Sequence, residues 1–256
     1  MKGEMRLDDL RLEIDDVDDR IHDLLMRRAE IASMVGESKR KQAGDGAARL
    51  FRPAREARVL RRLLARHHGP LPRAVLQDVW RAIIAGNLLL QGTMTVAATP
   101  GVSARLARDH FGSCVGLQET PAAGAALDAV SQGRAAVAVL PFPGCPASGS
   151  SAWWPALAEH PGLHIVGQIP VLRSASSPTA ALVAEQGLEP SDVDMTLVLT
   201  SAATIPSGDD APSVLATATR SEGPLRFVAL DGYVPVVPSW AGPEARIAGV
   251  VAAALT

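Results

Sequence analysis

Apolar residues stand at Leu7, Leu10, Ile14, Val17, Ile21, Leu24, Ile31 and Val35, in steps of three and four apart from one step of seven after Leu24. That heptad pattern predicts one long helix over residues 5–41 with a buried seam. Arg28 takes a seam position, one heptad after Ile21 and one before Val35. Gly44 and Gly46 then mark a loop. A second helix is predicted after Pro53, with Val59, Leu60, Leu63 and Leu64 on its buried side, ending at HHGPLP. The third runs from Arg73 to Gln91, with Val75, Val79, Ile83 and Leu90 inside.

From Thr95 the pattern changes. TVAATPG reads as a strand entering a glycine turn, SARLARDHFG as a helix, CVGLQETP as a short strand, AAGAALDAVSQG as a helix and AAVAVLPF as a buried strand. HIVGQIPVL and AALVAEQ read as further strands, and the tryptophans of SSAWWPAL as core or lobe contact. Such alternation predicts an α/β region. A last unit begins near Asp194 with strand MTLVLTS, helix SVLATATR, strand LRFVALDGYV and a final segment ARIAGVVAAAL. The whole reads as a multi-domain protein, all-α followed by α/β.

A length of 256 residues suits two or three domains, and 47% hydrophobic content supports a soluble core. A formal net charge of -2 points to neither nucleic acid nor membrane as partner. No apolar run has the length of a membrane span, and the charged N-terminus is unlike a secretory signal, so a cytoplasmic location is expected. Cys114 and Cys145 lack metal-ligand spacing and read as reduced thiols, with one long-range disulfide left open. His67 and His68 have no third ligand nearby, so no metal is expected. GDG and ATPG are lone turns, too short a signal for phosphate loops, and no nucleophile–base constellation is visible.

The helical charges carry more. Arg28 and Lys39 are eleven residues apart, hence within about 20° of each other and roughly 16 Å apart along one helix. Arg55 and Glu56 open the second helix, and Asn87 and Gln91 share a face of the third at i, i+4. Three packed helices can bring Arg28, Lys39, Arg55, Glu56, Asn87 and Gln91 to one internal point. A buried cationic cluster with one carboxylate is costly without an anion, so a small polyanion is the expected ligand. Taken singly, each residue has a plainer reading as a local ion pair or cap. Arg11 lies roughly 25 Å from Arg28 along the helix and about 100° round it, beyond reach of the same ligand in one chain. Pairing two long helices antiparallel about residue 22 covers the seam and brings a second chain's Arg11 between Arg28 and Lys39. An intertwined homodimer with two identical sites is the expectation.

The stretches LRLEIDDVDDRIHDLLMRRAEIASMVGESK, LFRPAREARVL and IIAGNLLLQ together resemble the all-helical chorismate mutases, over about residues 5–92. The resemblance implies rearrangement of chorismate to prephenate, with no cofactor. It assigns Arg28 and the second chain's Arg11 to the substrate carboxylates, Lys39 and Gln91 to the ether oxygen, and Glu56 to the ring hydroxyl. Arg55 would position Glu56 and a carboxylate. Asn87 stands where the family commonly has a small polar residue, and Pro53 where some members have an acidic one. Residues 95–186 resemble a prephenate dehydratase, and Asp194 onward an ACT-like α+β unit. The dehydratase motifs are altered, however. Phe142-Pro143-Gly144 stands where Glu-Asn follows the proline, and Thr179-Ala180-Ala181 replaces Thr-Arg-Phe. About ten residues replace a second lobe, so no dehydratase activity is expected. The implied organisation is 1–92 mutase, 93–190 a degenerate single dehydratase-like lobe and 191–256 a degenerate ACT-like region. The competing reading is a regulatory protein of aromatic amino-acid biosynthesis, with weak mutase activity alone and a pathway enzyme as partner.

Overall fold

The structure, a computed structural model, describes residues 6–43, 51–145, 152–173, 177–208 and 211–255. The chain divides into two compact units: Met1–Leu50 with Gly86–Thr93, and Phe51–Ala85 with Met94–Thr256.

In the first unit α1 runs Leu7–Ala43. Asp8 and Asp9 in its first turn and Arg40 and Lys41 in its last complement the helix dipole. The predicted helix is present, but its seam is uncovered in this chain. The eight seam residues Leu7, Leu10, Ile14, Val17, Ile21, Leu24, Ile31 and Val35 are 39–70% exposed. The end of α3, whose full range is Arg73–Gln91, also belongs to this unit. Gly36 is buried, and a Cβ there would sit 3.0 Å from Gln91 Cγ and 3.1 Å from Gln91 Cα. A glycine is therefore what lets α1 approach α3 at Gln91.

In the second unit α2 spans Pro53–Arg66, with proline supplying its first turn. It buries Pro53, Ala54, Glu56, Ala57, Leu60 and Leu64. The start of α3 buries Arg81 and Ala85, and Leu88 continues the same stripe. Val75, Val79 and Leu90, expected inside, are exposed instead. They lie on the faces turned away from the 81–85–88 stripe, where Arg81 breaks the apolar pattern.

The remaining elements are β1 (Thr95–Ala98), α4 (Val102–Phe111), β2 (Gly116–Glu119), α5 (Ala123–Ser131), β3 (Val137–Pro141), β4 (His164–Ile169), β5 (Ala180–Ala184), β6 (Asp194–Thr200), β7 (Ser213–Arg220), β8 (Gly223–Asp231) and β9 (Arg246–Ala252). They build one nine-stranded mixed sheet in the order β2-β1-β3-β5-β4-β9-β6-β8-β7. β2, β1 and β3 are parallel, with α4 and α5 as crossovers, while β5 runs antiparallel between β3 and β4. The helix expected over 213–220 is the strand β7. Its Val214, Thr217 and Thr219 favour a pleated surface, and Gly223 at φ 114° makes the tight turn into β8.

The regions expected as 93–190 and 191–256 share this sheet. β4 pairs with β9 at Ile165–Gly249, where any Cβ on Gly249 would collide with the Ile165 carbonyl. One core runs through both, with Leu127, Leu140, Leu157, Ile165, Leu197 and Phe227 fully buried. Trp153 and Trp154 are in it as expected, Trp154 lying 5.5 Å from the Phe227 ring. Among the described residues after Ser191 no α-helix occurs. α2 docks on this sheet through Ala57 and Leu60 against Val171, and Arg52 and Arg58 reach Glu189. Arg61 adds bonds to the carbonyls of Ser191 and Val193. These contacts place α2 with the sheet.

Candidate active site

The first unit gathers three of the expected residues. Lys39 Nζ donates to Gln91 Oε1 at 3.3 Å, and Gln91 Nε2 donates to the Asn87 carbonyl at 3.2 Å. Arg40 Nη1 donates to the Gln91 carbonyl at 2.8 Å and ties the end of α3 to α1. Gln91 is thus held at both its backbone and its amide, with one amide proton left over. Arg28 and Lys39 are half-buried on α1. Arg11 is exposed and pairs only loosely, at 3.3 Å, with Asp8 one turn away.

The second unit holds Glu56, and here the structure adds two residues the sequence reading lacked. Glu56 lies on the buried face of α2, one turn before Leu60. Arg81 Nη1 from α3 donates to Glu56 Oε2 at 2.8 Å and lies 3.0 Å from His110 Nε2 of α4. Guanidinium groups only donate, so His110 Nε2 accepts and its ring proton belongs on Nδ1. The 3.6 Å between His110 Nε2 and Glu56 Oε2 is too long for a hydrogen bond. Phe111 packs edge-on to the His110 ring at 4.6 Å. Arg55, the residue before Glu56 on α2, is exposed. A cleft of about 420 Å³ lies alongside, lined among others by Gln77, Asp78, Arg81, Leu106, Asp109 and His110.

Burial alone would raise the Glu56 carboxyl, but the Arg81 guanidinium, by its charge and its hydrogen bond, outweighs it and holds it below the usual carboxylate range. Burial, together with the Arg81 charge, pushes His110 down to about 4 against the pull of Glu56. The triad at neutral pH is therefore one carboxylate, one guanidinium and one neutral imidazole. This fixes a pH dependence. The unfolded chain protonates His110 near 6.5, while the folded chain resists protonation until about 4. Stability is full above the unfolded value and falls as pH drops through this window, by about 3 kcal/mol. Denaturant unfolding between pH 7 and pH 4 should show that loss, and His110→Gln should remove this share of it.

Two regions that the sequence aligned with dehydratase motifs also meet. The Phe142 N–H donates to the Thr179 carbonyl at 3.0 Å, beside the β3–β5 pair Pro141 and Ala180. Neither segment supplies a charged side chain there. β4 ends at Ile169 and β5 starts at Ala180, so residues 170–179, ten in all, form the whole connection. Cys114 and Cys145 are free thiols. Among the described residues no helix is long and apolar enough to cross a membrane, and no group of three or more His, Cys, Asp and Glu is arranged to hold a metal.

Residues 10–92 match the family model of chorismate mutase type II. Curated relatives include the bifunctional chorismate mutase/prephenate dehydratases of Pseudomonas aeruginosa and Neisseria gonorrhoeae. The first is 35% identical over 143 residues, 54% of this chain and 38% of that protein. The second is 37% identical over 84 residues, 33% of this chain and 22% of that protein. The chain therefore spans under two fifths of the length of these relatives. Among solved structures, GqqA, titled a novel type of quorum quenching acylase, aligns with TM-score 0.48 and 17% identity over 62% of this chain and 95% of its own. A prephenate dehydratase from Streptococcus mutans aligns with TM-score 0.43 and 12% identity over 63% and 99%.

Proposed function

Starting from a segment, residues 10–92, that matches chorismate mutase type II, we propose that this chain rearranges chorismate to prephenate. The observation that carries the reading, beside that match, is the half-buried Lys39 facing Gln91. A Claisen rearrangement needs neither nucleophile nor general acid. It needs a compact substrate conformer and a field aimed at the ether oxygen, where negative charge grows as the C–O bond breaks. Lys39 and Gln91 supply donors to that oxygen. Arg28 and a second chain's Arg11 fix the two carboxylates, since guanidinium forks hold a flexible dianion better than ammonium groups do. Glu56 accepts from the ring hydroxyl, Arg55 supports it, and Asn87 holds Gln91.

The working form is a homodimer. The uncovered α1 seam supports this, because burying each such apolar side chain is worth about 1.5–3 kcal/mol. An antiparallel α1 pair would also bring the exposed Arg11 to the second chain's substrate. Dehydratase activity is absent in this reading: Phe142-Pro143-Gly144 and Thr179-Ala180-Ala181 carry none of the charged groups of the altered motifs, and ten residues replace a lobe.

One observation favours a second reading. Glu56 Oε2 is engaged by Arg81 within the fold, as in a protein that turns over slowly until a pathway enzyme binds it. The test is chorismate absorbance followed with the purified full chain alone. Steady loss with prephenate appearing supports the mutase. Negligible loss that a partner enzyme restores supports the regulator, and phenylpyruvate formation would contradict the silent lobe.

A further inference from the structure

We propose that His110, which lies on α4 outside the matched mutase segment, positions the substrate-binding Glu56 through Arg81. The proposal rests on the mutase reading above.

Glu56 Oε2 takes the Arg81 contact, and among the described residues nothing donates to Oε1. One carboxylate oxygen is anchored and the other is left for a hydroxyl. What anchors it is shared: Arg81 Nη1 lies 2.8 Å from Oε2 and 3.0 Å from His110 Nε2. The imidazole lone pair fixes the turn of the guanidinium about its own axis, which in turn fixes the carboxylate. Only a neutral acceptor can do this. A protonated His110 would present its own N–H to the guanidinium and leave two cations against one carboxylate. The charged groups facing His110 from the packed elements are Glu56 of α2 and Arg81 of α3, with Asp78 of α3 and Asp109 of α4 lining the adjoining cleft. His110 is itself held by Phe111 at 4.6 Å and by the close of α4 at Gly112.

The experiment is steady-state kinetics on chorismate with the full chain. His110→Leu removes the acceptor and should lower kcat/KM roughly tenfold, mostly in kcat, as expected when a binding group drifts by a fraction of an ångström. His110→Gln restores a neutral acceptor and should recover most of that loss. A Glu56→Gln/His110→Leu double variant should be no slower than Glu56→Gln alone, because the histidine acts only through the carboxylate. Leu127→Ala, in the sheet core and remote from the triad, should destabilise the fold while leaving kcat/KM unchanged below its unfolding temperature. Should His110→Leu not fold, Arg81→Lys, which keeps the charge but loses the guanidinium plane that links His110 to Glu56, must show the same dependence on Glu56. An active wild type with an equally active His110→Leu, or losses that add in full to those of Glu56→Gln, would overturn the positioning role alone. An inactive wild type would overturn the mutase reading and this role with it.

Discussion

Alanine at Lys39 or Gln91 is expected to slow chorismate turnover by about 3 kcal/mol in the barrier, roughly a hundredfold or more. Each removes a donor from the oxygen that gains charge only as the bond breaks, so the loss falls on kcat more than on KM. The two losses should not add. Lys39 Nζ lies 3.3 Å from Gln91 Oε1, so each side chain helps to hold the other. Stopped-assay kinetics on the two single variants and the double variant check both the size and the coupling. Turnover near wild type in both singles would remove Lys39 and Gln91 from the ether-oxygen role.

The second large effect is on stability. Arg81→Leu strands the buried Glu56 carboxylate and should cost about 3–5 kcal/mol, read from the urea midpoint at pH 7. Adding Glu56→Gln to Arg81→Leu should return much of that loss, since the penalty is an unpaired charge rather than a lost contact. Arg40→Ala is the contrast. Its guanidinium is exposed and bonds one carbonyl, at Gln91, so its cost should stay near 1 kcal/mol. Equal losses from Arg81→Leu with and without Glu56→Gln would show that the triad is packed bulk and not an ion pair.

Particular residues show how far the sequence could be read. The heptads of α1, proline at the start of α2, and the Pro70/Pro72 break before α3 set three helices whose ends lie within about two residues of expectation. Helical spacing put Asn87 and Gln91 on one face of α3, and the family resemblance, not spacing, paired Gln91 with Lys39. Arg81 was not legible, because an arginine in a helix reads as surface. The signal existed nonetheless: Glu56 shares a buried face with Ala57, Leu60 and Leu64, and a carboxylate there requires a cation. Arg81 is the cation on the 81–85–88 stripe of the next helix. His110 was beyond reach, since nothing local links it to Arg81, 29 positions away, or to the more distant Glu56. The strand at Ser213–Arg220 was read as a helix because alanines dilute its period of two. Only pairing with β8 settles it.

The claim on which the account depends is that two chains complete one chorismate site. Arg11→Ala and Lys39→Ala should each be nearly inactive alone. Unfolded together and refolded as a mixture, they form hybrid dimers in which one site has an intact Arg11 from one chain and an intact Lys39 from the other. Random pairing then predicts recovery of about a quarter of wild-type chorismate turnover. A mixture no more active than its two components, from wild-type protein that is itself active, would contradict a site shared across two chains.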